Sequence, residues 1–283
     1  MRTNNRIDFE LPLAVQIRKQ IVKAISDFQL LEPNDKIMVC VSGGKDSSIL
    51  LALLTEIQRR AEFDFHIEAA ILDQKQPGFD GQKFYQWVND LGVQLHILER
   101  DTYSIVKEKI PEGNTYCSLC SRLRRAILYD FAADHGFTKM AMGHHRDDVI
   151  TTSLLNLFFI GQTATMPPKL LSDDQRNIVI RPMTYVSERD LIELGQQWDI
   201  PVIPCNLCGS QDGLKRKKIK QLIYDLEKEI PNICQSILTA ATNVKPSHLM
   251  DQNLWNFKDL KVAEKPNNAT EQSLPIEVKN NNL

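Results

Sequence analysis

The sequence predicts an α/β protein: a parallel sheet flanked by helices, with helical additions at both ends. Three observations predict it. Short apolar runs alternate with helix-length amphipathic segments from residue 36 to residue 160, the order that builds a sheet covered on both faces. The runs are mostly apolar rather than strictly alternating, as strands buried on both sides require. Between the first run and the first following helix stands a glycine pair, Gly43-Gly44, where sheets of this kind bind ligands beyond the carboxyl ends of their strands.

Taken in order, residues 11–30 carry Leu13, Ile17, Ile21, Ile25 and Phe28 near a 3.6-residue period, which gives an amphipathic helix read as a cap or dimer element. Strands are expected at 36–41, 66–72, 94–98 and 138–142, and helices at 47–60, 81–91, 119–134 and 148–160. Loops 42–47, 73–80 and 143–148 should then converge on one crevice. Beyond Gly161 the pattern loosens, with a strand at 177–181 and helices at 187–198, 215–229 and 231–242. From Asp251 the chain is rich in Asn, Lys, Glu and Pro and reads as a poorly ordered tail. The expected divisions are a helical element over 1–35, the main domain over 36–250 and the tail over 251–283.

Lys and Arg number 34 against 36 Asp and Glu, a net charge of -2, with a pI near 6.3. This excludes nucleic-acid binding by bulk charge and leaves local basic patches as the only route to it. No stretch approaches the ~18 apolar residues of a membrane helix, since the greasiest run, Leu154 to Ile160, is short and contains Asn156. No apolar segment follows the N-terminal Met1-Arg-Thr-Asn-Asn-Arg, so a cytoplasmic location is expected. Six cysteines in such a location are not expected to pair as structural disulfides, and four of them form two CxxC pairs, Cys117/Cys120 and Cys205/Cys208.

The loop Ser42-Gly43-Gly44-Lys45-Asp46-Ser47 sits between a strand and a helix. Glycines there let backbone N–H groups approach phosphate oxygens, the helix start adds a positive field, and Lys45 adds a charge. It is not a Walker A loop, because Val39 and Asp46 stand where that pattern needs Gly and Ser/Thr. A solvent-exposed Gly-Gly turn is the bland alternative. The six residues SGGKDS resemble the PP-loop of the ATP pyrophosphatases, which cleave ATP between the α and β phosphates to make an adenylated substrate; the resemblance implies an adenine nucleotide alpha hydrolase-like fold.

Each cysteine pair alone permits zinc, an iron-sulfur cluster or a redox dithiol. Cys205 follows Cys117 by 88 residues, too far for a zinc ribbon with about 15–20 residues between its pairs, so the two pairs can meet only through the tertiary fold. With SGGKDS, the segments DQKQPGF (73–79), YCSLCSRLRR (116–125), MGHHRDD (142–148), PCNLCGSQ (204–211) and PSHL (246–249) resemble the tRNA 2-thiocytidine synthetase (TtcA) family over about residues 11–260. That resemblance implies ATP-dependent thiolation of cytidine 32 in tRNA. It implies ATP and Mg2+, and a [4Fe-4S] cluster on Cys117, Cys120 and Cys208; spacing leaves Cys205 open as the third ligand. It also implies a homodimer and a cysteine desulfurase as sulfur source. Residues 36–250 become the PP-loop domain with its iron-sulfur site.

The chemistry needs such parts. A ring carbonyl oxygen is a poor leaving group; adenylation converts it to one, and a sulfur nucleophile held at a three-cysteine cluster with an open iron can then attack. Ser42, Gly43, Gly44, Lys45, Asp46 and Ser47 are the candidate nucleotide-binding residues, and Lys45, Asp46, Asp147 and Asp148 the candidate catalytic ones. Paired carboxylates can hold magnesium or orient the base, or simply cap the helix that follows. Arg122, Arg124, Arg125, Lys215, Arg216, Lys217 and Lys218 cluster beside the cysteine pairs and are the candidate tRNA contacts, against the bland reading of a solvated face. Cys40, Cys234, His66 and His96 read as packed structural residues. The competing functions are a 2-thiouridine synthase or lysidine synthetase of the same fold, and a non-catalytic RNA-binding protein with structural zinc.

Overall fold

The computed structural model describes residues 7–76, 80–109, 117–203 and 211–262, with 117, 118 and 211–213 described by their backbone alone. It divides into two compact units, Met1–Thr242 and Asn243–Leu283. In chain order the first unit runs α1 (Pro12–Phe28), β1 (Lys36–Val41), α2 (Lys45–Arg60), β2 (His66–Asp73), α3 (Gln82–Asp90), β3 (Gln94–Glu99), α4 (Thr102–Lys109) and α5 (Cys117–Asp134). It continues with β4 (Lys139–Met142), α6 (Arg146–Leu155), β5 (Lys169–Leu171), β6 (Ile178–Ile180), α7 (Glu188–Gln197), α8 (Gln211–Glu229) and α9 (Ile233–Thr242). The six strands lie in the order β3-β2-β1-β4-β6-β5, parallel throughout except for β5, which pairs antiparallel with β6.

The apolar runs are continuous because the two faces of the sheet feed two cores. In β1, Ile37, Val39 and Val41 point into a large core shared with α1, α2, α3 and α7, while Met38 and Cys40 point the other way onto Leu128 and Ala132 of α5. The stripe of α1 is used within the chain: Ala14, Ile17, Ile21 and Ala24 are fully buried in the larger core, so truncating Ile17 to Ala would cost about 2–5 kcal/mol. A smaller cluster, Ile150, Ile219, Ile223 and Cys234, fastens α8 and α9 onto α6.

Three features differ from the sequence reading. Helix α4 was not anticipated, and β5 is a three-residue edge strand, too short to show a period. The helix expected over 148–160 is α-helical only to Leu155; Asn156–Ile160 widen into a π-helical turn closed by Gly161 at φ 73°. In the second unit, residues 243–262 form a 3-10 turn at Pro246–His248 and hydrogen-bonded turns that include Trp255 N donating to Asp251 O at 3.2 Å. The expected polar tail lies outside the described residues from 263 onward.

Candidate active site

The loop between β1 and α2 is closed by its own hydroxyls. Ser42 N donates to Ser47 Oγ at 3.1 Å, Ser47 Oγ to Gly44 O at 3.1 Å, and Ser48 Oγ to the same carbonyl at 2.9 Å. Gly43 adopts φ +76°, the left-handed region that a side chain resists, and a Cβ there would stand 2.8 Å from the Ile203 side chain. Ile203 N also donates to Gly43 O at 2.8 Å, so the loop is braced from outside. Gly44 is extended and starts α2, leaving the positive end of that helix facing the loop.

A cleft of about 370 Å³ opens over this loop. Ser42, Gly44, Asp46 and Ser47 form its floor. One wall is α5, whose Ser121, Arg124, Arg125 and Leu128 follow an i, i+3, i+4, i+7 spacing and so share one helix face. The other wall is the loop after β4, through Gly143 and His144, with Asp148 behind it. The two loops touch: a Cβ on Gly143 would lie 2.9 Å from both Cα and N of Ser47. Asp46 Oδ1 is 2.9 Å from Lys45 Nζ, but it is buried and accepts no hydrogen bond among the described residues. Lys45 is not among the lining residues; its stem passes Gly195 of α7.

The adjacent carboxylates Asp147 and Asp148 have different surroundings. Asp148 lines the cleft and accepts from His145 N at 3.2 Å, capping α6 from within. Asp147 turns instead toward α7, where its Oδ2 accepts from Glu188 N at 2.8 Å. His144 borders the cleft with Nδ1 buried and unpartnered among the described residues. Burial, with Arg181 next in weight, holds its pKa down to about 4, so it is neutral at pH 7.

Cys117 and Cys120 open α5, one helical turn apart, directly before the face that lines the cleft. Cys120 Sγ donates to Gln74 Oε1 at 3.1 Å, and Thr102 Oγ1 donates to the same oxygen at 3.2 Å. A thiol pair at a helix start beside an anion-binding cleft fits a thiolate-ligated group, because the helix N–H groups favour the ionised sulfur. Cys205 and Cys208 lie outside the described residues. Cys40, read as a packed residue, borders the cleft as well; burial pushes its thiol up to about 12.

A model of the PP-loop domain matches residues 13–204. The chain is 71% identical over 256 residues to the tRNA-cytidine(32) 2-sulfurtransferase of Bdellovibrio bacteriovorus, covering 90% of this chain and 98% of that one. It is 53% identical to the enzyme of that name from Coxiella burnetii, over 86% and 94% of the two chains. The chain belongs to the tRNA-cytidine(32) 2-sulfurtransferase family. Its fold is also that of the U34-tRNA thiolase NcsA from Methanococcus maripaludis, solved with its [4Fe-4S] cluster, with a TM-score of 0.65 at 21% identity over 81% of this chain and 78% of that one.

Within this sulfurtransferase framework the anticipated residues fall into two groups. Ser42, Gly44, Asp46, Ser47, Asp148, Arg124 and Arg125 share the cleft, whereas Gly43, Lys45 and Asp147 do not line it. Arg122 and the α8 residues Lys215, Arg216, Lys217 and Lys218 are solvent-exposed and do not line it. Sequence reasoning missed His144 as a wall of the site and Gln74 as the partner of Cys120, although both lie in segments it had singled out. Arg124 and Arg125, anticipated as tRNA contacts, line the cleft on the 121/124/125/128 face, and Arg125 is also solvent-exposed. No helix among the described residues is long and apolar enough to cross a membrane.

Proposed function

We propose that this chain converts cytidine 32 of tRNA to 2-thiocytidine with ATP as the activating substrate. Ser42, Gly44 and Ser47 receive the ATP phosphates at the start of α2, and Lys45 supplies charge from the loop's edge. Asp46 and Asp148 would hold magnesium: both carboxylates line the cleft, and Asp46 Oδ1 is already drawn to a cation, the Lys45 ammonium at 2.9 Å. Arg124 and Arg125 face the same anion from α5. The cytidine C2 oxygen attacks the α-phosphorus, a new O–P bond forms, and pyrophosphate leaves. Sulfur then bonds to C2, and AMP departs with the former C2 oxygen. Cys117, Cys120 and Cys208 hold the [4Fe-4S] cluster, which when bound supplies the sulfur nucleophile. Gln74 fixes the direction of the Cys120 side chain, and Asp147 keeps α6 and α7 in register behind the wall.

The observation that carries this reading is the shared cleft, where the phosphate loop, Asp148 and the helix that opens at the first cysteine pair meet. Partners in the reading are tRNA, a cysteine desulfurase as sulfur source and a second copy of the chain.

Anaerobic purification with iron and sulfide quantification, followed by nucleoside mass spectrometry of tRNA incubated with ATP and a sulfur source, tests it. Iron, labile sulfide and 2-thiocytidine are expected together. Zinc without iron, or no AMP release in the presence of tRNA, would favour a structural RNA-binding protein. A Cys120→Ala protein that has lost its iron yet thiolates at the normal rate would refute the role of the cluster.

A further inference from the structure

Outside the cleft, the π-helical turn carries four large apolar side chains toward solvent: Leu157, Phe158, Phe159 and Ile160 are 51, 54, 50 and 68% exposed. Contiguous exposure of this kind marks an interaction surface. The turn is held firmly, since Asn156 Nδ2 donates to Ala164 O at 2.9 Å and Thr165 Oγ1 to Val149 O at 2.7 Å. Neither phenylalanine makes an aromatic contact among the described residues. The neighbouring element is basic: Lys215 Nζ lies 5.1 Å over the Phe159 ring. Lys215, Arg216, Lys217 and Lys218 form no ion pair among the described residues, whereas Lys220 is tied to Glu188 at 2.7 Å.

We infer that this face is a stacking platform for unpaired RNA bases, with Phe158 and Phe159 taking base faces and Lys215 to Lys218 holding the adjoining phosphates. The inference rests on the tRNA reading above and adds where the single-stranded loop bearing the target base is gripped. Exposed rings interleaved with unpaired cations are the combination that binds single strands. A second copy of the chain is the poorer occupant, because self-pairing of this face would bring two groups of four cations together.

The test uses the full chain and labelled, unmodified tRNA at several salt concentrations. For Phe158→Ala/Phe159→Ala the expected loss of tRNA affinity is about 10- to 100-fold with an unchanged salt slope, and with ATP binding and Tm retained. Lys217→Glu/Lys218→Glu should lower both affinity and slope. If the alanine pair fails to fold, Phe158→Leu/Phe159→Leu keeps the apolar bulk without the rings and should show the same loss. A phenylalanine variant that binds tRNA like the wild type would overturn the platform alone. One that turns a wild-type dimer into a monomer by light scattering would make the face a subunit interface instead. Wild-type protein that binds no tRNA would overturn the functional reading and the platform with it.

Discussion

Gly143→Ala isolates the contact between the two loops that make the site. The backbone at Gly143 has no positive φ, so an alanine is opposed there only by space. Its Cβ would sit 2.9 Å from Ser47 N and Cα, against the ~3.5 Å at which such atoms normally rest. Both neighbours are backbone at the first turn of α2 and cannot rotate away, so relief requires about 0.6 Å of separation between the loop after β4 and the phosphate loop. Overpacking of this kind costs about 1–3 kcal/mol of stability. The same displacement parts the α2 start from His144 and Asp148, and misplacements near 1 Å cost about a hundredfold in rate. We therefore expect tRNA-dependent AMP release to fall about 10- to 100-fold in protein that is still folded at the assay temperature. Circular dichroism monitors folding, and AMP release is followed in parallel. Activity within twofold of wild type would show that the two loops tolerate separation and refute the shared-cleft argument.

Two further outcomes follow from buried groups. Lys139→Met removes the ammonium that sits 2.6 Å from both Asp35 Oδ2 and Glu32 Oε2. Asp35 keeps Thr138 Oγ1 and Glu32 N as donors, so the loss in urea unfolding should be about 3 kcal/mol, the low end for a broken buried pair. Because β1 and β4 begin here, at the end of the sheet away from the cleft, AMP release per folded molecule should be unchanged; a stability loss below about 1 kcal/mol would contradict the burial argument. Cys40, with its thiol raised from 9.0 to about 12, should have a thiolate fraction about a thousandfold below an ordinary cysteine at pH 8 and resist maleimide in the native protein. The folded state then retains a proton that the unfolded chain gives up, so this thiol's contribution to stability is complete below pH 9 and is lost as pH climbs toward 12. Native labelling as fast as in denatured protein, read by mass spectrometry, would refute this.

The parts of the fold that could be read from sequence were those whose physics is local. The apolar β1, the glycine pair and the amphipathic α2 each carry their own pattern, and the structure gives β1 its expected range and starts α2 at Lys45, two residues before expectation. The antiparallel β5 could not be read, because three residues hold no period and its pairing with β6 is decided by the chain's return path. The π-helical turn was equally hidden: Leu157 to Ile160 is an unbroken apolar run, so periodicity gave no sign that these four side chains turn outward. In the site, the type of residue was legible and its direction was not. Asp147 and Asp148 are chemically identical neighbours, and only the meeting of the starts of α6 and α7, where Arg146 N donates to Val186 O, sends one to Glu188 and the other to the cleft.

The brace between Ile203 and Gly43 has a mechanical meaning. Its hydrogen bond and its filled space prevent the phosphate loop from widening unless Ile203 moves as well. Any movement of Ile203 at the end of the segment after α7 is thereby joined to occupancy of the loop. Such a link works equally in both directions: whatever free energy a fixed Ile203 lends to nucleotide binding, the bound nucleotide returns to the fixing of Ile203.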